Sequence, residues 1–389
     1  MPAPRATEPR RIDGAEALAG LVAELAGEPA YALDTEFHGE RTYFPRLALV
    51  QVAWPGGLAL VDPLTVDPRP LGEVLAGPGV MVAHAAEHDL GILERACGHL
   101  PSSLFDTQVA AGFVGLGTPS LAQLVQSVLG RHLAKGDRLT DWTRRPLSAE
   151  QRAYAAADVE HLLDLHGELV ARLDAAGRRQ WALDECEQVR ARDRAPRDPD
   201  TAWWRLKGSR SLRGSARGVA QEVAGWRERA AAAADLPPRF VLPELALAGI
   251  VQRPPRGADE LAAVRGLDGR HLRAASGREI LAAVEAGLAL APDRLRLPPR
   301  AGIDRSLQPA VTVLLAWTMQ RAGELGLDPA LLATRADLEA LLDGDTRARL
   351  VSGWRNDIVA EPVRRLLHGD AVIGLVDGGR GIELRDHPA

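Results

Sequence analysis

A chain of 389 residues has the length for two to four domains at roughly 100–200 residues each. Its apolar fraction of 46% supports ordinary cores, and an aromatic fraction of only 4% makes those cores mostly Leu, Val and Ala. A formal charge of -5 argues against bulk nonspecific nucleic-acid binding but allows a local basic patch. Such a patch exists from Arg190 to Arg229, where ten arginines and one lysine face three aspartates and two glutamates. Cys97 and Cys186 are the only cysteines. One pair makes no disulfide framework, and both read as reduced thiols of a cytosolic protein. The N-terminus has no apolar signal-peptide core. The longest aliphatic runs, such as Val313–Trp317, fall far short of the ~20 residues that span a bilayer. The expectation is a soluble cytoplasmic protein.

In chain order, Ala15–Ala26 reads as a helix and 31–37 as a strand. Strands at 47–54 and 58–62 flank Pro55-Gly-Gly57, as in a hairpin. Val80–His84 is a short apolar strand, followed by a helix over 89–97. Ser120 caps a helix to Leu129. Ser148-Ala-Glu-Gln151 is a capping box, opening a long helix that Gly177 ends. Strands first and helices after predict one α/β domain over about 10–185. A charged stretch with Pro196 and Pro199, taken as 186–210, reads as a linker; its Trp203 and Trp204 either dock it onto a neighbour or stack on bases. From Leu212 onward the pattern is all-helical. It falls into blocks at 211–291 and 305–375, separated by Pro298-Pro-Arg-Ala-Gly302.

Asp34 and Glu36 stand two apart on a strand, so both side chains share a face. Adjacent carboxylates repel, and a divalent cation between them holds both ionised. The plain alternative is a polar strand end, although a charge next to Ala32-Leu33 is expensive without a partner. Asp89 follows His84-Ala-Ala-Glu-His88 and is equally suited to capping a helix. Asp106 fits best as a structural hydrogen-bonding group. Tyr154 and Asp158 lie four apart on one helix face with only alanines between them. His84 and His88 are poor candidates for a hard cation, which prefers oxygen. Metalloprotease, serine hydrolase and nucleotide-kinase motifs are missing from the sequence. Asp34, Glu36, Asp89 and Asp158 together supply about -4, which suits two Mg²⁺ or Mn²⁺ ions acting on a phosphodiester. A tyrosine hydroxyl can orient the attacking water without being a strong base.

Leu33-Asp-Thr-Glu-Phe37, His84-Ala-Ala-Glu-His-Asp89 with Phe105-Asp-Thr-Gln108, and Asp141-Trp-Thr-Arg-Arg-Pro-Leu147 leading into Tyr154-Ala-Ala-Ala-Asp158 resemble, in order and spacing, the DEDDy 3′→5′ exonucleases. The Asp-Trp-X-X-Arg-Pro-Leu segment is specific to their ribonuclease D-like branch. The resemblance implies a ribonuclease-H-like α/β fold, a mixed sheet flanked by helices. It also implies Asp34, Glu36, Asp89 and Asp158 as metal ligands, Tyr154 at the nucleophilic water, and Thr35 and Phe37 flanking the terminal nucleotide. All five catalytic positions carry the expected residue type. The second half resembles two HRDC domains, small all-α nucleic-acid-binding modules. The first rests on Trp226-Arg-Glu-Arg229, Leu236-Pro-Pro-Arg-Phe-Val-Leu-Pro243 and Gly266-Leu267 before His271-Leu-Arg273. The second rests on Leu325-Gly-Leu-Asp-Pro-Ala-Leu-Leu332, Arg335-Ala-Asp-Leu338 and Gly353-Trp-Arg355.

The implied activity is hydrolytic trimming of RNA 3′ ends, releasing nucleoside 5′-monophosphates. The implied partner is structured RNA with a free 3′ end, such as transfer RNA precursors. No membrane and no obligate protein partner are implied. Three other readings compete: a DNA 3′→5′ exonuclease in repair, a nucleic-acid-binding scaffold with structural metals, and a plain α/β protein with tethered helical bundles.

Overall fold

The computed structural model describes residues 8–133, 140–196, 198–269, 271–272, 274–299 and 302–387. Arg273 of the first helical motif, and residues 300 and 301 of the proline-rich break, lie outside that set. The chain divides into two compact units. The first takes the described residues within 1–36, 47–192 and 301–389, and the second those within 37–46 and 193–300.

The first unit opens with strand β1 (Arg10–Ile12), helix α1 (Ala15–Leu25) and strands β2 (Ala30–His38), β3 (Arg46–Trp54) and β4 (Gly57–Val61). Helix α2 (Leu71–Ala76), β5 (Val80–Ala83), α3 (Glu87–Cys97), β6 (Ser103–Asp106), α4 (Thr107–Phe113) and α5 (Leu121–Leu129) follow. Then come α6 (Ala149–Glu160), α7 (Leu162–Ala175) and α8 (Arg179–Arg190). The sheet order is β1-β4-β3-β2-β5-β6. β3 and β4 form the expected antiparallel hairpin, while β1 pairs parallel with β4, and β5 parallel with both β2 and β6. The result is a mixed sheet flanked by helices. β3 is buried from Leu47 to Trp54, as a strand covered on both faces must be.

Several elements differ from the sequence reading. The helix expected to run from Ser148 to Gly177 is two helices, broken at His161. β1, β6, α2 and α4 escaped it because runs of three to seven residues carry too little period to register. α8 continues through Arg190, into the stretch read as a linker.

The second unit contains α9 (Ser215–Ala234), α10 (Pro238–Val241), α11 (Glu244–Gln252), α12 (Ala258–Ala262) and α13 (Ala274–Leu288) around Val219, Val223, Ile250 and Ile280. Residues 199–205, inside the same stretch, form a turn of 3₁₀-helix. Trp203 is fully buried there, and the indole N–H groups of Trp203 and Trp204 donate to the Arg296 carbonyl at 3.1 and 2.8 Å. Of the two roles open to these tryptophans, Trp203 takes the docking one. The loop 37–46 belongs to this unit as well. Tyr43 donates its hydroxyl to Glu228 at 3.0 Å, and the Tyr43 and Phe44 N–H groups donate to Asp235.

The last part of the chain returns to the first unit as α14 (Gln308–Leu325), α15 (Pro329–Leu332), α16 (Arg335–Leu342), α17 (Gly353–Arg355) and α18 (Glu361–His368). A β-hairpin then closes it, with strands β7 (Ala371–Val376) and β8 (Gly381–Asp386). This corrects the all-helical expectation. The signal was present: Asp377-Gly-Gly379 adopts positive φ throughout, the conformation a tight hairpin turn demands. These helices share one core with α4, α5 and α7. Gly112 of α4 accepts from the Asp328 N–H at 3.2 Å, and its missing side chain leaves room for Leu331 of α15. Trp354 stacks on Trp181 at 4.9 Å and meets Phe113 edge-on. Beside them Glu185 of α8 accepts from Arg355 at 2.5 Å and Arg349 at 2.9 Å. Arg355 is only 1% exposed.

Removing Glu185 strands a buried guanidinium, a change that costs about 3–5 kcal/mol. Glu185→Leu should therefore lower the stability of the first unit by that order in chemical denaturation. Glu185→Leu/Arg355→Met should recover much of the loss. A single variant that unfolds like the wild type would show that the pair does not hold the helices.

Candidate active site

Strand β2 presents Asp34 and Glu36 on one face, both half-buried, with Thr35 between them only 5% exposed. The Thr35 hydroxyl donates to the Asp89 carboxylate in a short hydrogen bond. Asp89 sits in the first turn of α3 and is itself buried. Residues far apart in sequence thus meet at the end of β2. Phe37, next along the strand, is half-buried at the point where the chain passes into the second unit.

The turn before α3 is held by Asp106, which is 2% exposed. Its carboxylate accepts N–H bonds from Ala85 at 3.0 Å and Ala86 at 2.9 Å, and from Gln108 and Val109 as the cap of α4. Asp106 is therefore the hydrogen-bonding residue the sequence indicates. Ala85 has φ 58°, a left-handed conformation that costs a non-glycine residue ~1 kcal/mol or more. His84 is engaged elsewhere. Thr107 Oγ1 lies 2.9 Å from its Nδ1 and donates to the Ala83 carbonyl. Burial holds the His84 imidazole below its ordinary pKa.

Helix α6 brings Tyr154 and Asp158. Its capping box is complete, with the Ser148 hydroxyl accepting from Gln151 N–H and the Gln151 side chain accepting in return. Ala155 and Val159 are its buried positions, and Ala155 packs with Ala48, Leu49 and Leu60 of the hairpin β3–β4. Tyr154 packs against the cluster of Leu49, Leu60 and Trp142, its ring 6.0 Å from that of Trp142.

Arg145 fixes this arrangement. Its guanidinium donates to Asp62 Oδ1 at 2.8 Å, to the Ala48 carbonyl at 2.7 Å and to the Trp142 carbonyl at 2.7 Å. It thereby ties the 141–147 segment to both hairpin strands. Burial works against the Asp62 charge, but the Arg145 hydrogen bonds hold its carboxyl below the ordinary range. The segment was conspicuous in sequence. That Arg145 answers Asp62, 83 residues away, was not.

Burial, reinforced by Asp89, Asp158 and Glu36, raises the Asp34 carboxyl well above its ordinary pKa. Burial and the charges of Asp158 and Asp89 push Glu36 up to about 8. Burial raises Asp89 to about 6, against the Thr35 hydrogen bond and the nearby His88. Asp34 and Glu36 thus lie within electrostatic reach of Asp89 and Asp158. Among the described residues, no three His, Cys, Asp or Glu side chains already stand in ligand geometry around one point. These carboxylate side chains nonetheless offer only oxygen, the donor a hard divalent cation prefers, and they are unfavourably charged unless a cation offsets them.

Fold and family matches together define a 3′→5′ exonuclease whose chain also carries a small all-α module. A 3′-5′ exonuclease family model matches residues 9–174, and an HRDC domain model matches 216–284. Ribonuclease D of Gluconacetobacter diazotrophicus is 37% identical over 96% of this chain and 96% of its own length. The crystal structure of Escherichia coli RNase D, an exoribonuclease involved in structured RNA processing, superposes with a TM-score of 0.83. It is 33% identical and covers 93% of this chain and 99% of that one. The catalytic core of RRP6 from Trypanosoma brucei gives a TM-score of 0.61 at 26% identity, over 74% of this chain and 82% of that one. The chain belongs to the ribonuclease D family, whose chemistry is metal-dependent 3′→5′ exoribonuclease activity in RNA processing.

A carboxyl whose pKa is raised on folding binds its proton more tightly in the native state, so stability falls as pH rises through that window. For Glu36 the window runs from its ordinary 4.5 to about 8. In EDTA the melting temperature should therefore drop between pH 5 and pH 8. Asp34→Asn should raise it at pH 8, because one of four mutually repelling charges is gone. A lower melting temperature for Asp34→Asn at pH 8 would contradict the electrostatic picture.

Proposed function

We propose that Asp34, Glu36, Asp89 and Asp158 hold two divalent cations, Mg²⁺ or Mn²⁺, and that the site removes nucleoside 5′-monophosphates from RNA 3′ ends. The observation that carries this reading is the mutual electrostatic penalty of the four carboxylates at one strand end. When bound, the ions would lower the pKa of the attacking water and offset charge on the leaving 3′ oxygen.

The chain's own residues do the rest. Tyr154, braced by Trp142, orients the water through its hydroxyl. Thr35 and Phe37 flank the terminal nucleotide. The Thr35 hydroxyl is turned to Asp89, so Thr35 meets substrate through its place in the strand. Arginine contacts to phosphates position the RNA without reading its sequence.

The substrates we infer are structured RNAs with a free 3′ end, such as transfer RNA precursors, processed in the cytoplasm. Support comes from the helical module matched at 216–284 and from the likeness to an exoribonuclease of structured RNA. Among the described residues no helix is long and apolar enough to cross a membrane. We read 305–375 as a second, diverged HRDC-like module, on its run of helices α14–α18.

On a 3′-extended transfer RNA, a time course should show loss of one nucleotide at a time with Mg²⁺ and none with EDTA. RNA binding should persist in EDTA. Asp34→Asn should slow release on the order of 10³-fold, the scale on which one part of a concerted site shows, with RNA affinity little changed. Full activity in that variant would remove the assignment. Tyr154→Phe should lose less than the roughly 10²–10⁴-fold of a general base. Wild-type rates with both metals would take Tyr154 out of the mechanism.

A further inference from the structure

Asp89 is held at two points. One is its own carboxylate, which accepts from Thr35. The other is the backbone turn 84–86, from which α3 rises. That turn contains the left-handed Ala85, a conformation that persists in a non-glycine residue only where its surroundings fix it.

What fixes it is Asp106, at the end of the neighbouring parallel strand, where Ala83 is its register partner. The two carboxylate oxygens are used differently. Oδ1 accepts from Ala85, Gln108 and Val109, and Oδ2 accepts from Ala86. Asp106 is fixed in turn, since its own N–H donates to the buried Cys186 thiol of α8 at 3.3 Å. One carboxylate therefore joins the cap of α4, the strained turn and the base of α3.

We propose that Asp106 is the positioning residue for Asp89. By clamping the Ala85–Ala86 turn it sets where the Asp89 carboxylate stands, and so how well the site takes up a divalent cation. This rests on the reading of Asp89 as a metal ligand. A cap of α4 alone would need only the Gln108 and Val109 bonds. The two bonds to Ala85 and Ala86 reach across to another element and serve no helix of their own residue.

The chemistry of the carboxylate allows the two roles to be separated. In Asp106→Asn the remaining oxygen can occupy the Oδ1 position and keep three bonds. The amide then faces the Ala86 N–H, donor against donor. Asp106→Ser keeps a capping oxygen for α4 but is too short to reach the turn. Each variant is assayed well below its melting temperature for kcat and KM on a 3′-overhang RNA. Mn²⁺ binding to the RNA-free protein is measured by titration calorimetry.

Both variants should lose at least about 10-fold in kcat with KM within about twofold of wild type, and bind Mn²⁺ at least about 10-fold more weakly. Adding Ala85→Gly to Asp106→Asn, which removes the strain the clamp opposes, should restore part of both. Asp89→Asn/Asp106→Asn should be no worse than Asp89→Asn alone. A lowered melting temperature with wild-type kcat and Mn²⁺ affinity would reduce Asp106 to a cap and overturn the proposal. Asp89→Asn is measured alongside. If it is fully active and binds Mn²⁺ normally, the ligand reading of Asp89 fails and the proposal falls with it. If only Asp89→Asn is impaired, the clamp alone is refuted.

Discussion

Repulsion among like charges at the end of β2 is the constraint around which the catalytic unit is built. Asp34 and Glu36 are neighbours by the pleat of one strand, and α3 and α6 bring Asp89 and Asp158 near enough to raise their carboxyl pKa values. Nothing in the burial of apolar side chains favours that assembly. It stands because the surrounding structure holds it, and carboxyls raised above their ordinary range by burial and by one another are the electrostatic pattern of a functional site.

The restraining contacts are polar and long-range. Thr35 reaches Asp89 across 54 residues, Arg145 reaches Asp62 across 83, and Asp106 reaches Ala85 and Ala86 across about twenty. Each is buried or nearly so, where a hydrogen bond to a charged group is strong and its loss leaves an unsatisfied partner. Precision at the carboxylates is therefore set by hydrogen-bonding residues around them, while Leu and Val supply cohesion.

Much of this could be read from sequence. Asp34 and Glu36 announced themselves by period two, Tyr154 and Asp158 by period four within alanines, and the hairpin by Pro55-Gly-Gly57. Ser148 and Gln151 form the capping box their spacing indicates. The hidden parts share a physical reason. β1 and β6 are three and four residues long and exist only because the sheet offers them an edge. The partners of Arg145 and Glu185 lie far along the chain, and no local pattern encodes a contact between distant segments. The closing hairpin was legible in its Asp-Gly-Gly turn, and was obscured by the helices before it.

The core that α4, α5 and α7 share with α14, α16 and α18 bears on how the chain is made. Its two halves are separated by the whole of residues 193–300. At about 5–20 residues per second, a ribosome that has finished α8 works for roughly another 10–40 s before the last helices emerge to cover it. Through that interval the exposed faces of α4 and α7 wait for their partners. For that time the nascent chain carries a bare apolar surface on α4, α5 and α7 that only its last segment buries.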